Sequence, residues 1–310
     1  MMDTDNALRT GHSKVSDTGR TAVGEHSRPL RYLIVALVVL GWWALGRLLN
    51  LNVSGFTLLG VPILLAFQVW IHRQPLLSLW VRSSPPLRVD AWFILIWFLF
   101  SIVPTVNLVS AFNQRDLWSA ASAAAAVLGA FGLAYALRSM KPSISGVSAG
   151  RMALYFLIAL VVGLLPLIPT LVLPNFMHMR INGQTATTAG LPPLASLLQV
   201  GLGRFLMGPL GFIVEEVFFR GGLDTYLHRG EKGTGWLSAI YLSALWGLWH
   251  LPGAALSQPN LLATLVSLIV AQIILGVPLS LLWRKSGNLA VPDTTHAVLE
   301  AVRSILSIPG

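Results

Sequence analysis

Residues 261–285 read LLATLVSLIVAQIILGVPLSLLWRK, and the first charge in the stretch is Arg284. An uncharged run of this length exceeds the ~20 residues that a helix needs to cross a bilayer at ~1.5 Å rise per residue. It lacks the polar and apolar alternation of a membrane barrel strand, and an open strand in hydrocarbon would leave its backbone groups unsatisfied. The stretch is therefore read as a spanning helix, and the same reading extends along the chain. Apolar windows fall at 30–51, 55–71, 91–112, 117–137, 152–174, 194–228, 236–256, 261–283 and 289–308. The sixth is too long for one crossing and is expected to protrude or to break near Gly201, Gly203, Gly208 and Pro209. The expected fold class is all-α, a polytopic transmembrane helical bundle of about eight or nine spans around an intramembrane polar cavity.

Composition agrees. The chain has 310 residues, of which 55% are hydrophobic and 11% charged, and its mean hydropathy is +0.70. Soluble domains carry roughly 25% charged residues, so a water-soluble fold is excluded. The absence of cysteine excludes disulfides, cysteine-ligated zinc, iron–sulfur clusters and a cysteine nucleophile. Residues 1–29 are polar, of mixed charge and without apolar periodicity, as expected of a disordered cytoplasmic tail rather than a signal peptide. Behind it, 30–193 read as N-terminal transmembrane helices and 194–310 as a core bearing the motifs.

The net charge of +9 follows from topology, not from nucleic-acid binding. Basic residues cluster in alternate connections: Arg9 to Arg31, then Arg73, Arg82 and Arg88, then Arg138, Lys141 and Arg151, then Arg229 and Lys232, then Arg284 and Lys285. By the positive-inside rule the N-terminus is cytoplasmic, and the expected site is a multi-pass protein of the plasma membrane with the lipid bilayer as its first partner. No internal repeat is visible, which counts against transporters built from repeats.

Ionisable groups at membrane depth cost several kcal/mol and mark function. Five carboxylates fall inside apolar windows, Glu215, Glu216, Asp224, Asp293 and Glu300, with two histidines, His250 and His296. Counted from the basic connections, Glu215, His250 and His296 lie ~15–20 Å along their helices, so three helices can bring them to one cavity open to the cytoplasm. Arg220 is spaced i,i+4 from both Glu216 and Asp224 and is expected to be held between them as a structural pair. Glu215 lies ~100° around the helix from that stripe, which leaves it for chemistry. A lone intramembrane histidine is more often a hydrogen bond between helices. Two at the depth of a glutamate favour a joint site, with Trp246, one turn before His250, as its lining.

These clusters, VEEVFFRGGL at 214–223, SALWGLWHLPG at 243–253 and SGNLAVPDTTHAVLE at 286–300, resemble the motifs of the CAAX protease and bacteriocin-processing (Abi) family of intramembrane endopeptidases. The likeness covers about 194–305. The family's Glu-Glu-x-x-x-Arg is matched by Glu215, Glu216 and Arg220. Its Phe-x-x-x-His is matched at His250 with Trp246 for Phe, and its His-x-x-x-Asn/Asp at His296 with Glu300 for Asn or Asp. The resemblance implies that Glu215 deprotonates a water, His250 positions and polarises it, and His296, with Glu300, holds the oxyanion, while Glu216 and Arg220 support the site. A carboxylate at Glu300 donates a hydrogen bond only when protonated. The implied substrate is a peptide or membrane protein, no cofactor is required, and the alternative is a zinc site drawn from Glu215, Glu216, His250 and His296. Two other readings compete: a non-enzymatic immunity or peptide-binding membrane protein, and a proton-coupled transporter.

Overall fold

The computed structural model describes residues 27–165, 200–201, 203, 213–229, 231, 233–251 and 261–306. The polar tail up to residue 26 and the expected break at Gly208 and Pro209 lie outside the described residues. The described elements are helical: α1 (Arg28–Leu48); α2 (Val53–Ala66), prolonged by a π-helical turn Phe67–His72; α3 (Ala91–Asn113); α4 (Leu117–Arg138); α5 (Ala149–Leu164); α6, which runs from Ile213–Glu216 through a π-helical Val217–Asp224 into Thr225–His228; α7 (Trp236–Trp249); α8 (Leu261–Ser286); and α9 (Ala290–Leu306). Extended pairing among the described residues is limited to an antiparallel bridge between Val81 and Asn288. The chain is an all-α membrane bundle.

Helix ends follow local chemistry. α1 starts at Arg28, earlier than the apolar window, because Pro29 fits a first turn whose N–H groups have no intrahelical acceptor. Asn52 accepts from the Gly55 N–H at 2.8 Å, Asp90 from Phe93 at 2.9 Å and Asp116 from Ser119 at 3.1 Å; each satisfies an orphan donor at the start of α2, α3 or α4. The Phe93 amide and then Arg138 hold the Asp90 carboxyl below the usual carboxylate range.

Among the described residues five helices are long and apolar enough to cross a membrane: α1, α2 with its π turn, α3, α4 and α8; α5 and α7 are shorter apolar helices. Large apolar side chains such as Leu37, Phe98, Leu128, Leu157 and Val270 are exposed. A soluble monomer would not display them so widely, whereas hydrocarbon accepts them, so this is a multi-pass membrane protein. The window expected to cross at 236–256 is helical only to Trp249, and its helix ends at His250.

The basic connections meet in one layer. Arg28 pairs with Glu231 at 3.0 Å, Arg138 with Asp90 at 2.6 Å, and the Arg82 amide donates to the Gly287 carbonyl at 2.9 Å. These contacts bring the start of α1, the segment before α3, the end of α4, the α6–α7 connection and the α8–α9 turn to the same end of the bundle. Trp70, Trp92 and Trp236 are exposed at helix termini of this layer, where amphipathic rings prefer to sit.

At the centre is α6, whose residues Val217 to Asp224 are all buried. Phe218 packs on Trp42 at 4.5 Å between ring centroids, and Trp42 packs on Trp249 at 5.0 Å. Gly221 is required there: a Cβ would run into the Leu79 backbone carbonyl, a group that cannot move aside as a side chain can.

The shared layer predicts sidedness, and the chain's lack of cysteine makes the measurement clean. Single cysteines at Ser83, Ser143 and Thr234 are expected to react with a membrane-impermeant maleimide from one side, expected to be cytoplasmic, and a cysteine at Gln114 from the other. Mixed sidedness within the first three positions would refute the layer.

Candidate functional site

Glu215 and Glu216 leave the first turn of α6 in different directions, and each meets one histidine. Glu215 Oε2 accepts the indole N–H of Trp246 at 3.0 Å and lies 3.6 Å from His250 Nε2. His250 Nδ1 lies 2.8 Å from the Trp246 carbonyl. A carbonyl only accepts, so Nδ1 carries the proton, and a neutral His250 turns the lone pair of Nε2 toward Glu215. Glu216 Oε1 lies 3.2 Å from His296 Nδ1, and its Oε2 lies 3.7 Å from Arg220 Nε.

Trp246 ties the two pairs together. Both imidazoles meet its ring edge-to-face, at 5.4 Å for His250 and 5.3 Å for His296, and the Arg220 guanidinium stands 4.7 Å over the ring centroid. An aromatic ring attracts a cation on its face, so the tryptophan adds support to an arginine that is fully buried. It also supplies a hydrogen-bond donor that phenylalanine at this position would lack. Glu300 is buried one turn after His296 on α9, and Asp293 one turn before it. Both Asp293 carboxylate oxygens are without a hydrogen-bond partner among the described residues.

The expected ladder of Glu216, Arg220 and Asp224 is only half formed. Arg220 pairs with Glu216, but Asp224 turns away and binds Arg284 through two hydrogen bonds of 2.9 and 2.6 Å. The reason is local: Val217–Asp224 is π-helical, and i→i+5 winding takes residues four apart off a common stripe. Arg284 was read as a topogenic charge in a connection, yet it is buried and also donates to the carbonyls of Thr234 and Gly235. Sequence spacing assigns Asp224 to Arg220, so it gives no signal for this pair.

The SGNL turn was legible as part of the third motif, but its partners were not. The turn joining α8 to α9 is closed by Ser286 Oγ, which accepts from the Asn288 amide at 3.2 Å. Gly287 occupies a left-handed φ of +61° that glycine adopts without steric cost. Asn288 Nδ2 donates to the Ala136 carbonyl at 2.7 Å, and the Leu289 amide to the Trp80 carbonyl at 2.9 Å. The turn that aims α9, and with it His296, is thus fastened to α4 and to the segment before α3 through backbone atoms.

Among the described residues no group of three or more His, Asp or Glu side chains is arranged to hold a metal ion; the two carboxylates instead divide the two imidazoles between them.

Residues 197–302 match the family model described as Type II CAAX prenyl endopeptidase Rce1-like. The match covers about a third of the chain and supports the CAAX protease family for this segment. The matched segment contains every ionisable residue of the candidate site, from Glu215 to Glu300, and the coarse activity that goes with the family is that of an intramembrane endopeptidase. Comparison with curated proteins and with solved structures finds no match. Outside the matched segment, Leu79 and Trp80 before α3 and Ala136 on α4 supply the backbone contacts at Gly221, Leu289 and Asn288 described above.

Breaking the buried Asp224–Arg284 pair strands a charge, which typically costs ~3–5 kcal/mol. Arg284→Ala is therefore expected to lower the thermal midpoint and the yield of folded protein. Adding Asp224→Ala should recover part of the loss, because residues in direct contact do not add independently. Equal stability of Arg284→Ala and wild type would show that the pair does not hold the bundle.

Proposed function

We propose that this chain is a glutamate-dependent intramembrane endopeptidase that cleaves a peptide bond with water as the nucleophile. The observation that carries the reading is the opposition of Glu215 Oε2 and His250 Nε2 across 3.6 Å, with the imidazole held in one tautomer by the Trp246 carbonyl. Two acceptors at that spacing are suited to a water that donates one O–H to each. Glu215 takes one proton of that water, the oxygen attacks the carbonyl carbon, and the tetrahedral intermediate collapses with cleavage of the C–N bond. The proton held by Glu215 passes to the departing amine, so the carboxylate is restored.

His296 serves the oxyanion in this reading. Its Nδ1 faces the Glu216 carboxylate, so to donate through Nε2 as well the ring must carry both protons, and Arg220 lies on the far side of Glu216. For Glu300 to assist there as a donor it must carry a proton. Interactions that strengthen as charge develops on the carbonyl oxygen are where rate is gained. The indole N–H of Trp246 holds Glu215 at the water-binding position. A substrate reaches this site from the bilayer or from the layer of basic connections, and nothing in the pocket chemistry selects a prenyl chain.

Glu215→Gln preserves shape and removes the proton acceptor, so cleavage in a peptide-library assay is expected to fall ~100- to 10,000-fold while the protein remains folded. Trp246→Phe, which removes one hydrogen bond to a charged group, is expected to cost roughly 10-fold or more. His250→Ala and His296→Ala are expected to be inactive, and Glu300→Asn to retain or raise activity. Chelator should leave the rate unchanged. Loss in chelator that zinc reverses would assign the glutamates and histidines to a metal instead. Peptide binding without cleavage by wild type would favour a non-enzymatic binding protein, and full activity of Glu215→Gln would remove the proposal.

A further inference from the structure

The layer of basic connections holds a second polar pocket, remote from Glu215. It is a cavity of about 100 Å³ over the α8–α9 turn, bordered by Arg82, Ser83, Ser145, Val147, Lys285 and Gly287. One ordered water needs only ~10–15 Å³ of such space, so the cavity has room for a small charged group and no room for a nucleotide. The Arg82 side chain lies across the turn, with its Nε 4.0 Å from where a Gly287 Cβ would stand.

The balance of charge in this layer shows what is missing. Three carboxylates lie there, and each has a close cation: Asp90 has Arg138, Asp224 has Arg284 and Glu231 has Arg28. Glu231 further accepts from Tyr32 and Ser238, so its acceptor capacity is largely used. Arg82 and Lys285, the two cations that border the pocket, have no ion pair of 4.0 Å or less among the described residues. A cavity bordered by two cations that lack a close ion pair is complementary to a small oxyanion. Its place at the end of the bundle, level with the exposed Trp92 and Trp236, is the depth at which lipid phosphates lie.

We propose that this pocket binds a phosphate group, presented by the headgroup of an anionic phospholipid or supplied as free phosphate, which bridges Arg82 and Lys285 across the α8–α9 turn. Occupancy pins the turn from which α9 carries His296 into the core, so the pocket is a distinct site with a mechanical link to the first one.

The test uses the full chain in detergent and the double variant Arg82→Gln/Lys285→Gln, which keeps the Arg82 backbone bond to Gly287. The probes are phosphatidylglycerol and inorganic phosphate, with retained lipid counted by native mass spectrometry and phosphate binding by calorimetry. Wild type is expected to bind phosphatidylglycerol, and the double variant roughly 30-fold more weakly, the effect of two interfacial cations. The control pair Arg73→Gln/Arg115→Gln is expected to bind as wild type does. Binding of inorganic phosphate with the same loss, and without lipid retention, assigns the site to free phosphate. If the double variant misfolds, as seen in its helical circular dichroism, Lys285→Gln alone carries the comparison, since Lys285 is exposed. Equal binding of both probes by wild type and the folded variant overturns the proposal.

Discussion

A carboxylate in the middle of a membrane bundle must have partners, and the rest of this structure is arranged around that constraint at Glu216. Its two oxygens face Arg220 and His296, so one buried anion fixes a cation on its own helix and an imidazole on α9. Removing charges from water costs several kcal/mol apiece and is offset only by close opposite charge. That requirement pulls α6, α7 and α9 together. Trp246, between the two imidazoles and beneath Arg220, fills the space among them with a ring that accepts a cation on its face and donates from its edge.

The π-helical stretch of α6 explains how neighbouring acids acquire different tasks. With i→i+5 winding the residues after Glu216 no longer keep a four-residue stripe, so Asp224 is released from Arg220 and meets Arg284. Single π turns inside α-helices recur at functional sites because they re-aim side chains at a local cost in hydrogen-bond geometry. Here two glycines in the stretch, Gly221 and Gly222, also let neighbouring segments approach, above all the backbone at Leu79.

The N-terminal helices matter through backbone rather than side-chain chemistry. The carbonyls of Trp80 and Ala136 receive Leu289 and Asn288, so the entry to α9 is set by a segment that carries no recognisable motif. A change far from Glu215 in sequence, at residues 79–82, therefore acts on the position of His296.

Sequence alone determined the solvent and the fold class, and it narrowed the candidate site to a few ionisable residues, because charge-free runs at membrane depth leave few groups to choose from. The stretch 261–285 is enough to require a spanning helix, and the scarcity of acids and histidines picks out Glu215, Glu216, His250, His296 and Glu300. What the tertiary structure decided is who pairs with whom. Sequence spacing assumes a uniform 3.6-residue helix, and the π winding of α6 breaks that assumption, so Arg220 keeps Glu216 while Asp224 goes to Arg284. The indole donor on Glu215 and the backbone clamps on the α8–α9 turn likewise depend on helices distant in the chain. Hydrogen bonds to backbone carbonyls leave no trace in residue type, and only the packed bundle shows where they form.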